Sequence, residues 1–239
     1  EVVEIISEMA SAYMEMETGK GGKRIAFRLC EDGIRRFPGY PRIHLLKNTQ
    51  TYLQNPSIQL FTPTYFSSSE SIRTTITTTN VKRIKVELHR LNTSMPEYRK
   101  QHRRPLYWQY NQPWSNTSVV DSQWVDIQQN PEFEPVTDSL QFKSPGFGLY
   151  EIRVITNQDS RNENPLPFTI CMVTDLTAIR QQSKKTEELI YTLDRSTGKP
   201  VKEVKIEIFR DEWKNGEPEL IKESELKSRK DGSATLLSD

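Results

Sequence analysis

The sequence predicts a mainly β protein: an antiparallel β-sandwich preceded by a short α-helical region and followed by the start of a second β-sandwich. Three observations carry that reading. Apolar residues recur every three to four positions as far as Leu53 and every second position after Asn55. Gly, Pro and Asn then punctuate the chain often, and no helical period returns. The run 189–209 alternates on both sides of Asp194-Arg195-Ser196-Thr197-Gly198-Lys199-Pro200, which reads as a hairpin opening a further β unit.

The first helix falls within residues 1–17, where Val2, Ile5, Ile6, Met9 and Tyr13 make one stripe. Gly19-Lys20-Gly21-Gly22-Lys23 interrupts it. That run is no phosphate loop, because Arg24 stands where Ser or Thr is needed and the flanks are helical. A second helix runs from Ile25 through Phe27, Leu29, Cys30 and Ile34. It stops near Phe37-Pro38-Gly39-Tyr40-Pro41, since each proline disfavours helix in the residue before it. A third covers Ile43–Leu53. Residues 1–54 are thus a helical region that reads like the last hairpin of a helical array; a tetratricopeptide-like identity is suggested, but too little is present to show a repeat period.

From 55 to 180 the pattern is that of one sandwich. Ser57–Phe61 begins it. Ile72, Thr74, Ile76 and Thr78 alternate, as do Ile84, Val86 and Leu88, with Asn80 as the turn between them. Further strands fall at Ser139–Phe142, Tyr150–Ile155 and Phe168–Val173. Between Leu91 and Leu140 the pattern lapses for about fifty residues, too long for a passive loop. This stretch, 92–138, reads as an insertion. It holds Tyr107, Trp108, Tyr110, Trp114 and Trp124, the densest aromatic set in the chain. They form a candidate binding surface for a sugar or a partner's side chain, or they pin the insertion onto the sandwich flank.

The segment 183–239 contains two strands, a charged loop around Asp211–Pro218 and an Asp231-Gly232 turn. Gly198 is free to adopt positive φ, and Pro200 presets the next strand. Fewer than about 60 residues make a poor core, so this second sandwich is expected to be truncated.

At 239 residues the chain suits two or three modules. Thirty-three basic and 32 acidic residues leave a net charge of +1, so no global field draws it to nucleic acid or to anionic membranes. Arg99, Lys100, Arg103 and Arg104 form the one dense basic cluster, read as a solvated loop. No apolar run is long enough to span a bilayer. The start, Glu1-Val2-Val3-Glu4, lies inside a helical pattern, which reads as a fragment of something longer. Cys30 and Cys171 are compatible with a disulfide that nothing supports, and two buried free thiols are the plainer reading. His44, His89 and His102 lack metal-ligand spacing, and no cofactor is implied. Asp121, Asp126, Glu132 and Glu134 are carboxylates of the type glycosidases pair, yet no spacing singles out two of them. No nucleophile motif is present, so a non-enzymatic role is expected.

Three stretches together carry a resemblance. Phe168-Thr169-Ile170-Cys171-Met172-Val173-Thr174-Asp175-Leu176 is followed by Tyr191-Thr192-Leu193-Asp194-Arg195-Ser196-Thr197-Gly198-Lys199-Pro200-Val201 and then by Asp231-Gly232-Ser233-Ala234-Thr235-Leu236. In this order they are similar to consecutive macroglobulin (MG) domains of the bacterial α-2-macroglobulin family. Thr78–Leu91 resembles that family's paired strands, and Ser144-Pro145-Gly146-Phe147-Gly148-Leu149-Tyr150-Glu151 its Gly-x-Tyr turn. The helical hairpin suits a Bacteroides-like variant. The resemblance implies an MG fold, related in kind to immunoglobulin and fibronectin-III sandwiches. It also implies a non-catalytic scaffold segment of a cell-envelope protein that contributes to protease trapping or host-surface interaction. Its partners would be other MG domains of the parent chain, together with proteases or host and surface proteins. Neither cysteine fits the family's thioester motif. A carbohydrate- or adhesin-type module using Tyr107–Trp124 is the other reading.

Overall fold

The computed structural model describes residues 1–16, 21–101, 113–128, 130–155, 167–184, 186–214 and 217–237. Gly19, Lys20, His102, Arg103 and Arg104 lie outside them. Among the described residues, no helix is long and apolar enough to cross a membrane.

Three helices open the chain: α1 (Val2–Met14), α2 (Gly22–Arg36) and α3 (His44–Gln54). Their shared core is built on Val3 and Ala10, Ala26 and Cys30, and Leu46 and Leu53. The stripe on α1 is rotated from the expected one, since Val2, Ile5 and Met9 face outward while Val3 and Ala10 are fully buried. Small residues explain the rotation, because they set the closest approach. A Cβ on Gly22 would lie 2.1 Å from Tyr13 O, and one on Gly33 2.6 Å from a Leu46 methyl. Lys23, in the glycine-rich run, pairs with Glu134 at 3.0 Å.

Two sheets make the sandwich. The first is β1 (Ser57–Phe61), β3 (Ile72–Thr79) and β6 (Val136–Phe142), antiparallel in the order β1-β3-β6. The second has the order β2-β8-β7-β4-β5, from β2 (Tyr65–Phe66), β4 (Arg83–Leu91), β5 (Thr117–Asp126), β7 (Gly148–Ile155) and β8 (Phe168–Val173). The expected alternation is present: Ile72 and Ile76 meet Ile84, Val86, Leu88, Ile152 and Val154 in a core closed by Phe142 and Tyr150. Asn80 takes the left-handed conformation at φ 56. Its side-chain amide donates to Leu53 O at 2.6 Å and Asn55 O at 3.1 Å, tying the end of α3 to the sandwich. The loop before β6 provides a second tie, with Phe133 against Phe27 at 5.0 Å and Glu132 against Arg24 at 2.7 Å.

The Gly-x-Tyr turn has a physical reason. Gly148 stands at φ 151, a backbone conformation that side-chain-bearing residues rarely adopt, while a Cβ there would only touch the Tyr150 ring at 3.4 Å, so the backbone angle is what calls for glycine. The buried Tyr150 hydroxyl donates to Gly146 O at 3.0 Å and closes the corner.

The stretch 92–138 is not a strandless insertion. It contains helix α4 (Met95–Gln101) and β5, which pairs with β4 along its length, and it ends in the first residues of β6. The alternation in β5 is hidden because the strand lies at a sheet edge, is exposed throughout Ser118–Ser122 and carries a bulge opposite Leu88/His89; only its end alternates, where Val125 packs on the core.

The C-terminal strands also depart from expectation. Residues 189–209 do not form a hairpin. The sheet order is β13-β10-β9, from β9 (Leu176–Lys184), β10 (Glu187–Asp194) and β13 (Ser233–Leu237), so both edges of β10 are occupied. The second alternating run is instead β11 (Lys205–Lys214), paired with β12 (Glu217–Lys227), and the expected charged loop 211–218 forms the ends of those two strands. Past an isolated bridge between Leu193 and Pro200, Glu203 adopts φ 63 and the chain leaves the sheet. Thr192 holds the crossing point: its N–H donates to Gly232 O at 2.9 Å, its hydroxyl to Val201 O at 2.6 Å, and its carbonyl accepts from Val201 N at 2.9 Å. Gly232, at φ 75, fits there because a Cβ would lie 2.7 Å from Thr192 O. Gly232→Ala is therefore expected to cost about 1–3 kcal/mol, read as a lower denaturant midpoint. Gly39→Ala, where a Cβ meets open space, is expected to change little.

Candidate functional site

The outward face of the five-stranded sheet carries the densest buried polar chemistry. Val86, Glu87, Leu88 and His89 are buried in succession, so β4 is covered on both faces. Val86 and Leu88 face the sandwich core. The other parity presents Lys85, Glu87, His89 and Leu91, and the register sets Arg153 beside Glu87 and Glu151 beside His89 on β7.

One end of this face is roofed by α4 and Trp114. Leu91 and Leu149 pack with Trp114, and Met95 and Tyr98 of α4 close over them. The Trp114 and Tyr98 rings lie 5.5 Å apart. Glu151, fully buried, anchors the roof: it accepts from Trp114 N at 3.2 Å and pairs with Arg153, whose guanidinium donates to Trp114 O at 2.5 Å. Burial, and then the charge of Glu151, push the Tyr98 hydroxyl up to about 12. The start of α4 is a capping box: Glu97 accepts from Ser94 N at 3.1 Å, and Ser94 Oγ accepts from Glu97 N at 3.4 Å. Ser94-Met95-Pro96-Glu97 was the sequence signal for this helix, and strand-pattern reading passes over it.

Beside the roof, Glu87 receives His89 Nε2 at 2.9 Å and Lys85 Nζ at 2.7 Å, and His89 Nδ1 lies 3.1 Å from Thr117 Oγ1. Burial pushes the Glu87 carboxyl up, but the hydrogen bonds from Lys85 and His89 outweigh it and hold the group below its ordinary value. The row Thr117–His89–Glu87 has the connectivity of a hydrolytic triad. Two features separate it from one. Lys85 neutralises the carboxylate that would support a charged imidazole, and Thr117 N is spent on Ser115 O at 3.1 Å rather than aimed at a reacting oxygen. The arrangement holds buried charge in balance.

Of the five candidate aromatics, the structure describes Trp114 and Trp124, and these two lie on different parts of the face. Tyr107, Trp108 and Tyr110 lie outside the described residues. Trp114 is buried in the roof. Trp124 is 49% exposed at the other end of the face, beside Lys85, with the Arg83 guanidinium 4.6 Å above its ring. Leu91 and Lys85, which mark those two ends, are six residues apart on one strand, about 20 Å. The scattered carboxylates have structural partners: Glu132 holds Arg24, Glu134 holds Lys23, Asp126 holds Arg83, and Asp121 caps Ser122 N. Among the described residues, no three His, Cys, Asp or Glu side chains gather as a metal site. Cys30 and Cys171 are free and buried in different cores.

A second constellation joins the sandwich to the C-terminal strands. Asp175 takes Ser68 N at 2.7 Å and Ser68 Oγ at 2.6 Å on its two carboxylate oxygens, while its carbonyl accepts from Arg195 N at 2.8 Å. The Arg195 guanidinium lies 4.9 Å over the Tyr65 ring. Arg195 is placed by its turn, where Asp194 Oδ1 accepts from the N–H and hydroxyl of both Ser196 and Thr197 at 2.7–3.1 Å. Those bonds, led by the Thr197 hydroxyl, hold the Asp194 carboxyl near 2. Two of the sequence words thus meet in space.

No family model and no curated protein matches the chain. Solved structures do. Native α-2-macroglobulin from Escherichia coli, in a structure spanning domains MG0-NIE-MG1, superposes with a TM-score of 0.55 at 15% identity, covering 77% of this chain and 58% of that one. Escherichia coli α-2-macroglobulin activated by porcine elastase aligns over 77% of this chain and 18% of its own length, at 10% identity and a TM-score of 0.30. The first likeness establishes the fold: a mainly β chain of MG-type antiparallel sandwich with helices at its N-terminus. This chain spans little more than half of that structure.

Two outcomes are expected here. Glu151→Ala leaves the Arg153 charge and the Trp114 N–H without their buried acceptor, so unfolding free energy falls by about 3 kcal/mol or more and tryptophan emission shifts to the red. Glu87 has a depressed folded pKa, so its contribution is fully present above the ordinary value of 4.5 and is lost as pH falls through the folded value. Acid destabilisation below pH 4.5 should be shallower in Glu87→Gln than in the wild type.

Proposed function

We propose that this chain is a non-catalytic structural segment of a bacterial α-2-macroglobulin-like envelope protein, of the Bacteroides-like type with an N-terminal helical region. Its sandwich and C-terminal strands act as a fixed bracket that orients other MG domains of the parent chain. The observation that carries this is the Asp175 junction. A flexible linker between β units needs no carboxylate with both oxygens engaged, no backbone bond from the next turn and no guanidinium laid over a ring. All three are present where the turns at Asp175 and Arg195 meet.

The domain division follows from the same place. We keep the helical region at 1–54 and the sandwich from 55, and the pairing of β9 with β10 supports moving the boundary with the second β unit from 180–183 to near Asp175. At the level of the whole parent, the bracket serves protease trapping or attachment to a host surface. The glycan reading of Tyr107–Trp124 gains nothing from Trp114, which the roof consumes.

The bracket is tested by ¹⁵N relaxation. The sandwich and the C-terminal strands are expected to share one rotational correlation time in the wild type and to separate in Asp175→Ala and Arg195→Ala. Independent tumbling in the wild type would overturn the bracket. The trapping role is tested on the full-length parent, which is expected to retain an added serine, cysteine or metalloprotease in a complex of reduced activity. Retention of none removes that part of the proposal.

A further inference from the structure

The outward face of the three-stranded sheet β1-β3-β6 is neutral, and the chain supplies its own comparison. On the β11–β12 hairpin, solvated positions carry Lys205, Glu207, Lys222 and Glu225, linked by ion pairs of 2.5–3.3 Å. That is how a strand surface facing only water is ordinarily furnished. The β1-β3-β6 face is furnished otherwise. Burial alternates along β3, turning Ile72 and Ile76 inward and Thr75 and Thr77 outward. The register sets Gln59 beside Thr77 and Phe61 beside Thr75 on one side, and Thr137 and Ser139 beside them on the other. Thr77 Oγ1 and Thr137 Oγ1 are 3.1 Å apart. Asp138 has the opposite parity, level with Ile76. The outward positions of these strands hold no carboxylate, and Arg73 at one corner is their single cation.

We propose that this face binds a neutral polysaccharide. Strand propensity accounts for threonine on β3; it does not account for the absence of Lys and Glu from all three strands. Hydroxyl and amide side chains donate and accept, which matches the hydroxyls of a sugar chain. They stand on a grid of about 4.8 Å across the strands and about 6.8 Å along them. Phe61, 69% exposed at the rim, offers an apolar ring to a sugar's C–H face. A protein partner would call for the aromatic, Met and Arg enrichment of interface cores, and this grid has one ring. An acidic glycan would call for more cations than Arg73.

The test is native affinity electrophoresis of the whole chain in gels containing xylan, hydroxyethylcellulose or dextran, with alginate as the acidic control. At least one neutral polymer is expected to retard the wild type and alginate to leave it unretarded. Thr77→Lys and Phe61→Ala are expected to weaken that retardation at least tenfold. Thr77→Val, which keeps the strand's shape, does the same without lowering the thermal midpoint, so a folding defect in Thr77→Lys does not obscure the result. The proposal is overturned if no neutral polymer retards the wild type, or if Thr77→Val and Phe61→Ala are retarded as strongly as the wild type. It is equally overturned if Trp124→Ala rather than these variants abolishes retardation, or if the wild type is a dimer that Thr77→Lys dissociates, which gives the face to a second copy.

Discussion

The arrangement of the β units depends on Asp175. Two residues past the last strand of the sandwich, it uses its side chain to hold the Ser68 turn and its carbonyl to receive the turn that follows β10. Arg195 is the reciprocal half, with its backbone on Asp175 and its guanidinium on Tyr65. Tyr65 lies in β2, which runs parallel to β8. The short edge strand of one sheet, the exit of the sandwich and the first turn of the next unit are therefore fixed together. Asp194 makes this robust, since four hydrogen bonds to one carboxylate oxygen hold the turn in the shape that presents Arg195.

A different constraint acts on the outer face of the five-stranded sheet. Buried carboxylates are costly unless paired and hydrogen-bonded. Glu87 and Glu151 meet that requirement in different ways, the first through Lys85 and His89, the second through Arg153 and the Trp114 amide. The roof over the face is thus held by polar bonds at its rim and by apolar packing of Trp114, Tyr98 and Leu91 in its middle. The same face shows why triad-like connectivity is weak evidence of catalysis: the pattern recurs wherever a histidine and a carboxylate share a strand parity.

Much of the fold was legible because inward residues were large and regularly spaced, as on β3, β4 and β7. The α1 stripe was misplaced because the helix contacts are set by Ala10, Ala26, Gly22 and Gly33, small residues that carry little weight in a hydropathy pattern. β5 was invisible for another reason: its first half is exposed on both parities at the sheet edge and has no reason to alternate, and its bulge shifts the parity before Val125 reaches the core. The 189–209 run misled in the opposite direction. Its alternation is real, but neighbouring strands in sequence need not be neighbours in a sheet, and the β10 edges were already taken by β9 and β13. The aromatic cluster illustrates how composition falls short of geometry, since it cannot tell a buried Trp114 from an exposed Trp124. The words around Asp175, Asp194 and Gly232 were legible as words; that they clasp one another was not, because hydrogen bonds between distant turns leave no local period.

Cys30 sits in the helical core and Cys171 in the sandwich core, and burial raises both thiols, the second to about 12. Neither reacts as a thiolate while its core is closed. Since the chain has no other cysteine, each core carries one private reporter of its own opening. A thiol reagent that marks one residue before the other would reveal the order in which the helical layer and the sandwich come apart, without any engineered probe.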